Sequence, residues 1–175
     1  RIMNPTTDVL EQRLASLEGG VGALAAGSGH AAQLMAIMTL CSAGDHIVCG
    51  ENVYGGTFRL FDRILRHMGL SFSYVDTRDP QIVEDAMTPA TRALLVETPT
   101  NPLMWLTDLS AMSEIAKRHQ ALLVVDNTFA TPVFQRPLEI GADIVWHSTT
   151  KYLNGHSDMI GGIAVVLEDE LADRL

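Results

Sequence analysis

Short apolar segments alternate with amphipathic segments along nearly the whole chain. Apolar runs bounded by glycine or polar residues are typical of strands that are buried on both faces of a sheet. The pattern predicts strands at residues 21–26, 46–50, 70–75, 92–97, 121–126, 143–148 and 160–167. We therefore expect a central sheet whose strands are separated by helices.

The segments between the predicted strands carry helical periodicity. Within residues 57–68, one face holds Phe58, Phe61, Leu65 and Met68, and another holds Arg59, Arg63 and Arg66. An earlier helix is predicted to begin near Thr7 or Asp8 and to end at Gly19 and Gly20, with Leu10, Leu14 and Leu17 facing inward. This alternation predicts an α/β domain with a mostly parallel central sheet flanked by helices. In such sheets, ligands bind beyond the carboxyl ends of the strands.

Composition narrows the class of protein. The 175 residues carry 21 Asp and Glu against 12 Lys and Arg, a net charge of −9 that disfavours nucleic acid and anionic membranes as partners. The most apolar region, residues 31–41, is shorter than the ~20 residues of a membrane span. Cys41 and Cys49 are expected to be ordinary buried thiols in a reducing, cytoplasmic setting. Because the chain opens without methionine and closes in helical character, we expect a piece of a longer protein.

The first polar feature at a predicted strand end is the turn GSGHAAQ, residues 27–33. Its glycines let the backbone turn sharply, so that free N–H groups at the start of a helix point at an anion such as phosphate. A plain strand-to-helix turn is an alternative. A second alternative is dinucleotide binding, because Gly27, Gly29 and Ala32 fit the G-x-G-x-x-A pattern and Glu51 stands near the distance of a ribose-binding acid.

Two further polar side chains follow apolar strands. Asp126 closes ALLVVD, where a carboxylate is costly to desolvate without a cation or several donors. It is therefore either a helix cap or structural ion pair, or else the counter-ion of a ligand nitrogen or metal. Asn101 lies in ETPTNP, where two prolines stiffen the loop and would present its side chain in a fixed position. A simple turn former is the alternative for Asn101.

The last strand end carries the stretch HSTTKYLNGHSD, with Ser148, Thr150 and Lys151 directly after an apolar run. A lysine buried at such a position has a lowered pKa, and a neutral amine attacks carbonyl groups. A solvated surface lysine is the alternative. His147 and His156 are nine residues apart with no nearby cysteine, so we expect no metal site.

Taken together, these groups match one cofactor. Pyridoxal phosphate (PLP) requires a lysine for its aldehyde, an acid for its pyridine nitrogen, donors for its phosphate and an aromatic ring on its face, for which Tyr54 is the candidate. A nicotinamide dinucleotide would use the glycine turn but would leave Lys151 and Asp126 without a role. The combined pattern favours PLP.

Five segments resemble a known family. The segments NPT, YGGTFRLFD, ETPTNPL, VVDNTF and HSTTKYLNGHSD resemble the Cys/Met-metabolism PLP-dependent enzymes, in the family's order and over all 175 residues. The resemblance implies a fold-type I PLP enzyme in which residues 1–175 are part of the large PLP-binding domain, without the amino-terminal arm and the carboxyl-terminal domain. It also implies a transsulfuration activity, γ-replacement or γ-elimination on homoserine-derived or cystathionine substrates. That activity would be most like that of cystathionine γ-synthase, with cystathionine γ-lyase and O-acylhomoserine sulfhydrylase as alternatives.

The resemblance also implies residue roles. Lys151 would bind the cofactor's aldehyde, Asp126 its pyridine nitrogen, and Tyr54 would stack on its ring and assist proton or leaving-group chemistry. The phosphate would be held by the backbone of Gly29 and His30 and by the hydroxyls of Ser148 and Thr150.

Three further positions follow from the same resemblance. Asn101 would lie beside the cofactor's phenolic oxygen and the carboxylate of the amino-acid substrate. Arg1 would reach the phosphate in a neighbouring subunit, which implies a homo-oligomer, usually a dimer of dimers. Arg59 would meet a distal carboxylate of the substrate, with a solvated arginine on a helix as the alternative. The chain departs from the family at His30, where many members have methionine, and at Gly56, where methionine γ-lyases typically carry cysteine.

Overall fold

The computed structural model describes residues 4–175, in which a single seven-stranded sheet lies between two layers of helices. The strands are β1 (Gly22–Ala26), β2 (His46–Gly50), β3 (Ser71–Val75), β4 (Thr91–Glu97), β5 (Leu122–Asp126), β6 (Ile144–Ser148) and β7 (Gly162–Val166). Each lies within two residues of a strand predicted from the hydrophobic pattern, because buried apolar runs leave little choice of conformation.

The strand order is β1-β7-β6-β5-β4-β2-β3. Strands β3, β2, β4, β5 and β6 are parallel, and β7 is antiparallel to both of its neighbours. The predicted α/β fold with a mostly parallel sheet is therefore confirmed.

The helices cover both faces of this sheet. They are α1 (Pro5–Glu18), α2 (Gly29–Leu40), α3 (Gly55–Arg63), α4 (Pro80–Ala86), α5 (Leu109–Arg118), α6 (Thr131–Phe134), α7 (Pro137–Ile140) and α8 (Asp169–Arg174), with a 3₁₀ turn at Leu65–Met68. Adjacent strand residues point to opposite faces. Leu94 and Leu123 accordingly pack beneath α4 and α5, whereas Leu95 and Val124 pack beneath α2 and α3. None of the helices in residues 4–175 is both long and apolar enough to cross a membrane.

Helix α1 differs from the prediction in its start and in its buried face. It begins at Pro5, because the Asn4 side chain accepts a hydrogen bond from the N–H of Thr6 at 2.9 Å and caps the helix. Leu10 and Leu17 are 41% and 39% exposed, so the prediction that they face inward is wrong. The face toward the sheet is instead formed by Glu11, Leu14, Ala15 and Glu18.

The predicted helix at residues 57–68 is interrupted. Helix α3 ends at Arg63, because the next residue, Ile64, has a φ of −117° that breaks the regular turn, and a 3₁₀ turn follows. Phe61 and Leu65 are fully buried, but Phe58 and Met68 are 41% and 49% exposed, so these two are not part of one continuous apolar face. Cys41 and Cys49 are buried free thiols, as expected.

Candidate active site

A cavity of about 240 Å³ opens at the carboxyl ends of the parallel strands. Eight of the ten predicted site residues line it: Gly29, His30, Tyr54, Asn101, Asp126, Ser148, Thr150 and Lys151. The structure thus brings together residues from five strand ends that are up to 122 positions apart in sequence. In particular, Asp126 and Lys151 open into the same space, as binding of one pyridoxal ring requires.

The two remaining predicted residues have other positions. Arg59 lies on the exposed side of α3 and does not line the cavity; its guanidinium folds back toward the backbone of Gly55. This position agrees with the alternative of a solvated arginine on a helix, and a contact of Arg59 with a distal substrate carboxylate stays a prediction. Arg1 lies outside the described residues.

The turn before α2 packs tightly against β6 and β7. The Ser28 side chain caps the helix by accepting a hydrogen bond from the N–H of Ala31 at 3.1 Å. A Cβ atom at Gly29 would lie 2.8 Å from Cβ of Ser148, and one at Gly162 would lie 2.6 Å from the nitrogen of Gly29 and nearer still to the Ser28 carbonyl. Glycine at these two positions therefore lets a turn with free N–H groups lie beside the cavity.

The dinucleotide alternative is not supported by the same turn. Gly27, the first glycine of that pattern, has nothing within 4 Å of where a Cβ would stand, and its φ is not in the left-handed region. Glu51, the proposed ribose-binding acid, does not line the cavity. Neither residue is needed for the observed turn or for contact with a ligand in the cavity.

Asp126 is a buried carboxylate without a cationic partner among residues 4–175. It is 7% exposed, and its oxygens accept a hydrogen bond from the N–H of Thr128 at 3.0 Å and a long one from the side chain of Gln33 at 3.5 Å. It forms no ion pair with a described residue, and it caps no helix, because α6 begins five residues later. A buried acid in this state suits a ligand that brings a protonated nitrogen.

Lys151 lies in a turn three residues beyond the end of β6, and the structure has it exposed. Of the two positions that the sequence left open, buried or solvated, the structure has the solvated one, and Lys151 still lines the mouth of the cavity. Among the described residues no carboxylate pairs with it, so its amine is available to a ligand. The hydroxyl of Thr150 holds the turn by hydrogen bonds with the backbone of Gly161 at 3.1 and 3.2 Å.

Tyr54 is half-exposed at the start of α3. Its ring stacks against the ring of His30, with 5.6 Å between centroids and an angle of 29°. A Cβ at Gly56 would lie 2.5 Å from Cε1 of Tyr54 and closer to the imidazole of His30. A histidine at position 30 therefore fits in this arrangement only because residue 56 has no side chain.

Sequence reasoning missed Glu97, which also lines the cavity. It ends β4 and lies directly opposite Asp126 in the parallel pairing with β5. Burial, together with the negative charge of Asp126, raises the pKa of Glu97 to about 8. The signal was available in RALLVE, where an acid closes an apolar strand as Asp126 does. The remaining lining residues that were not predicted are Ser28, Gln33, Pro99, Thr128, Phe129 and Ile160.

A buried polar network joins α1, β6 and the residue after β5. Glu18 and His147 are fully buried and hydrogen-bonded to each other, and the side chain of Asn127 donates to the same Glu18 oxygen at 3.0 Å. His147 is thereby committed to the interior, whereas His156 is exposed and bonded to the carbonyl of Asn154. The two histidines do not share a site, and no cluster of three possible metal ligands is present in residues 4–175.

An α/β sheet with a lysine, an unpaired acid and a glycine-lined helix start around one cavity is the arrangement of fold-type I PLP-dependent enzymes. The family model for Cys/Met metabolism PLP-dependent enzymes matches residues 1–175, and the chain belongs to this family. The resemblance inferred from the five segments and the predicted cofactor are both confirmed. The chain thus belongs to a PLP-dependent family and not to a dinucleotide-dependent one.

Curated relatives carry several names at similar distances. The chain is 49% identical over 175 residues to cystathionine gamma-lyase of Bacillus subtilis (strain 168), covering 100% of this chain and 46% of the relative. It is 47% identical to a probable cystathionine gamma-synthase of Herpetosiphon aurantiacus, of which it covers 54%. It is 49% identical over 172 residues, 98% of this chain, to cystathionine beta-lyase MetC of Staphylococcus haemolyticus (strain JCSC1435), of which it covers 44%. The chain therefore spans about half the length of the relatives it matches.

Solved structures agree with the fold. The crystal structure of cystathionine gamma-lyase from Lactobacillus plantarum complexed with L-serine matches with a TM-score of 0.97 and 49% identity, over 99% of this chain and 45% of that one. The structure of metB from Corynebacterium glutamicum matches with a TM-score of 0.97 and 43% identity, over the same shares.

Proposed function

We propose that the protein is a PLP-dependent transsulfuration enzyme that catalyses γ-replacement or γ-elimination, most like cystathionine γ-synthase. The observation that supports this proposal is the single cavity in which the amine of Lys151 and the unpaired carboxylate of Asp126 face a glycine-lined helix start. Cystathionine γ-lyase activity is the second candidate, because a relative of that name is 49% identical to the chain. Residues 1–175 would be part of the large cofactor domain.

The residues of the cavity fit the cofactor. The Asp126 carboxylate would accept a hydrogen bond from the protonated ring nitrogen, and Tyr54 would cover one face of the ring. The N–H groups of Gly29 and His30 would hold the phosphate with the hydroxyls of Ser148 and Thr150. When bound, the cofactor withdraws electrons from the Cα atom of an amino-acid substrate and so makes its proton removable.

Lys151 is the residue to which we assign proton transfer. Its amine would hold the cofactor's aldehyde and would be displaced when a substrate amine takes its place. The freed amine would take the proton from Cα and pass it on. It would then take a proton from Cβ, and the electron pair left on Cβ would expel the group on Cγ. Asn101 would orient the substrate carboxylate. The predicted homo-oligomer, the role of Arg1 at a neighbouring subunit's phosphate and a cytoplasmic location stay predictions.

The test uses the protein in its full natural length. Lys151→Ala should abolish both the visible absorbance of the bound cofactor and turnover, whereas Lys117→Ala should change neither, because Lys117 is the only other lysine of the chain and lies exposed on α5. Retention of the absorbance in Lys151→Ala would refute the assignment. Asp126→Ala should reduce turnover far more than the free energy of unfolding; equal losses would indicate a structural acid.

One comparison of substrates chooses among the activities. O-Acylhomoserine with cysteine, O-acylhomoserine with sulfide, and cystathionine alone should be assayed in parallel. Formation of cystathionine faster than its breakdown would support the γ-synthase proposal. Faster breakdown of cystathionine to a keto acid and ammonia would support the γ-lyase, and preference for sulfide would support the sulfhydrylase.

A further inference from the structure

Glu97 connects the two loops that carry Tyr54 and Asn101. Its Oε2 accepts a hydrogen bond from the backbone N–H of Tyr54 at 2.7 Å, and its Oε1 accepts one from the backbone N–H of Asn101 at 3.0 Å. Each carboxylate oxygen thus holds a different loop. The carboxylate is 7% exposed and stands at the end of the rigid strand β4, so it supplies a fixed reference point for both loops.

The two loops also have contacts of their own: the Tyr54 carbonyl accepts a hydrogen bond from the N–H of Phe58 at 3.2 Å, the Tyr54 ring stacks on His30, and Thr100 bonds to Met104 and Trp105. Tyr54 precedes α3 without capping it by a side-chain hydrogen bond, and its hydroxyl has no hydrogen-bond partner among the described residues. One further side-chain hydrogen bond joins the loops, from Asn52 to Thr100 at 2.9 Å, but it lies on the side away from the cavity. Among the described side chains, Glu97 is the one that accepts hydrogen bonds from the backbone N–H groups of both Tyr54 and Asn101, the two loop residues that face the cavity.

We propose that Glu97 is a positioning residue, which sets the places of Tyr54 and Asn101 at the cavity through these two hydrogen bonds. Only the expected effect of Glu97 substitutions on turnover rests on the proposed function. The hydrogen bonds themselves can be tested in the cofactor-free protein.

The surroundings of Glu97 make this support sensitive to pH. Ionisable groups face it from adjacent strands (Cys49 and Asp126), across the cavity (His30, Tyr54 and Lys151) and around a small second cavity (Glu51, Asp76 and Arg78). Burial and the Asp126 charge raise its pKa to about 8. An ionised carboxylate accepts from two N–H groups more strongly than a protonated one. Both loops should therefore be held more firmly as Glu97 loses its proton.

The first experiment measures backbone hydrogen exchange at Tyr54 and Asn101 in the cofactor-free, full-length protein. Glu97→Ala should speed exchange at both amides by a factor of about ten or more, because each loses a charge-assisted hydrogen bond. Glu97→Gln should protect one amide and expose the other, since an amide side chain has one oxygen. Glu84→Gln is the matched control, because Glu84 also accepts two hydrogen bonds, from Arg118 and His119, but lies away from the cavity. Unchanged exchange at both amides in Glu97→Ala would overturn the proposal.

The second experiment measures turnover. Glu97→Gln should lower kcat by about tenfold or more and remove the part of the kcat profile that responds to ionisation near pH 8, whereas Glu84→Gln should leave both unchanged. Glu97→Asp, which keeps the carboxylate, should restore part of kcat. Because Glu97 acts through Tyr54 and Asn101, its effect should shrink when Tyr54→Phe and Asn101→Ala are already present together. Independent, additive losses would overturn the proposal.

The outcomes separate the two claims. If Lys151→Ala retains the cofactor absorbance while Glu97→Ala speeds exchange at both amides, the proposed function fails and the positioning contact stands. If Lys151→Ala loses the absorbance while Glu97→Ala leaves exchange unchanged, the function stands and the role of Glu97 is refuted.

Discussion

Substituting Gly162 by alanine should damage the cofactor site from a strand that contributes no side chain to it. Gly162 begins β7, and an added Cβ would lie 2.6 Å from the nitrogen of Gly29 and closer to the carbonyl of Ser28. Ordinary contacts of a Cβ begin at 3.4 Å. To reach that distance the Gly29 nitrogen would have to retreat by about 0.8 Å and the Ser28 carbonyl oxygen by more than one ångström. That backbone is the start of α2, where we place the phosphate.

The size of the effect follows from what must move. Forcing extra atoms into a packed interior costs about 1–3 kcal/mol, and backbone cannot rotate away as a side chain can. We therefore expect Gly162→Ala to reduce the free energy of unfolding by about 1–3 kcal/mol. Displacement of the turn should weaken PLP binding by about tenfold to hundredfold, since each tenfold change corresponds to about 1.4 kcal/mol.

Gly27→Ala provides the matched control in the same turn. Nothing lies within 4 Å of a Cβ at Gly27, so binding should not change, and stability should stay the same or rise by about 0.4–1 kcal/mol. Urea unfolding of the cofactor-free, full-length protein and titration with PLP followed by absorbance measure the two quantities. PLP binding as tight as that of the parent in Gly162→Ala would refute the reasoning. Equal damage from Gly27→Ala would show that the first glycine of the turn is required after all.

Three further predictions concern other parts of the site. Glu18→Ala leaves His147 buried without its hydrogen-bond partner, so the free energy of unfolding measured in urea should fall by about 3–5 kcal/mol. The pKa of Glu97 is raised from 4.5 to about 8 by folding, so the native state holds an extra proton between these values. Its contribution should therefore favour the native state most below pH 4.5 and decline as the pH rises to about 8, and Glu97→Gln should flatten this dependence when unfolding is followed across pH. Gly56→Ala should lower kcat by displacing the rings of both His30 and Tyr54, and adding His30→Ala, which frees space for the Tyr54 ring, should recover part of the loss in steady-state assays.

The strands could be predicted from the sequence because burial on both faces leaves a continuous apolar signal. All seven appear within two residues of the expected positions. Helix faces were harder to predict, because several apolar residues compete for one stripe. On α1, Leu10 and Leu17 offered an apolar face, but the side chain of Glu11 accepts a hydrogen bond from the N–H of Ala25 at 2.8 Å. A polar contact with the sheet therefore fixes the rotation of this helix.

The location of the site could also be predicted, because strand ends of a parallel sheet meet at one edge. What the sequence could not supply was the direction of long side chains. Arg59 is only five residues after Tyr54, which lines the cavity, yet its guanidinium turns toward Gly55. For Lys151 the apolar strand left both a buried and a solvated position open, and the chain leaves the sheet at Ser148 and places the lysine in an open turn.

Glu97 and Asp126 show why position at a strand end does not by itself assign a role. Both residues close apolar strands, lie opposite each other in the parallel pairing and are 7% exposed. They differ in their hydrogen bonds. Glu97 already accepts two short bonds from backbone N–H groups, whereas Asp126 accepts one from the backbone and one long bond from Gln33. The two N–H donors bonded to Glu97 belong to the two loops, so this acid is better suited to hold them. The acid with fewer donors keeps a free lone pair for a cationic ligand, which is why we assign the pyridine nitrogen to Asp126 and loop positioning to Glu97.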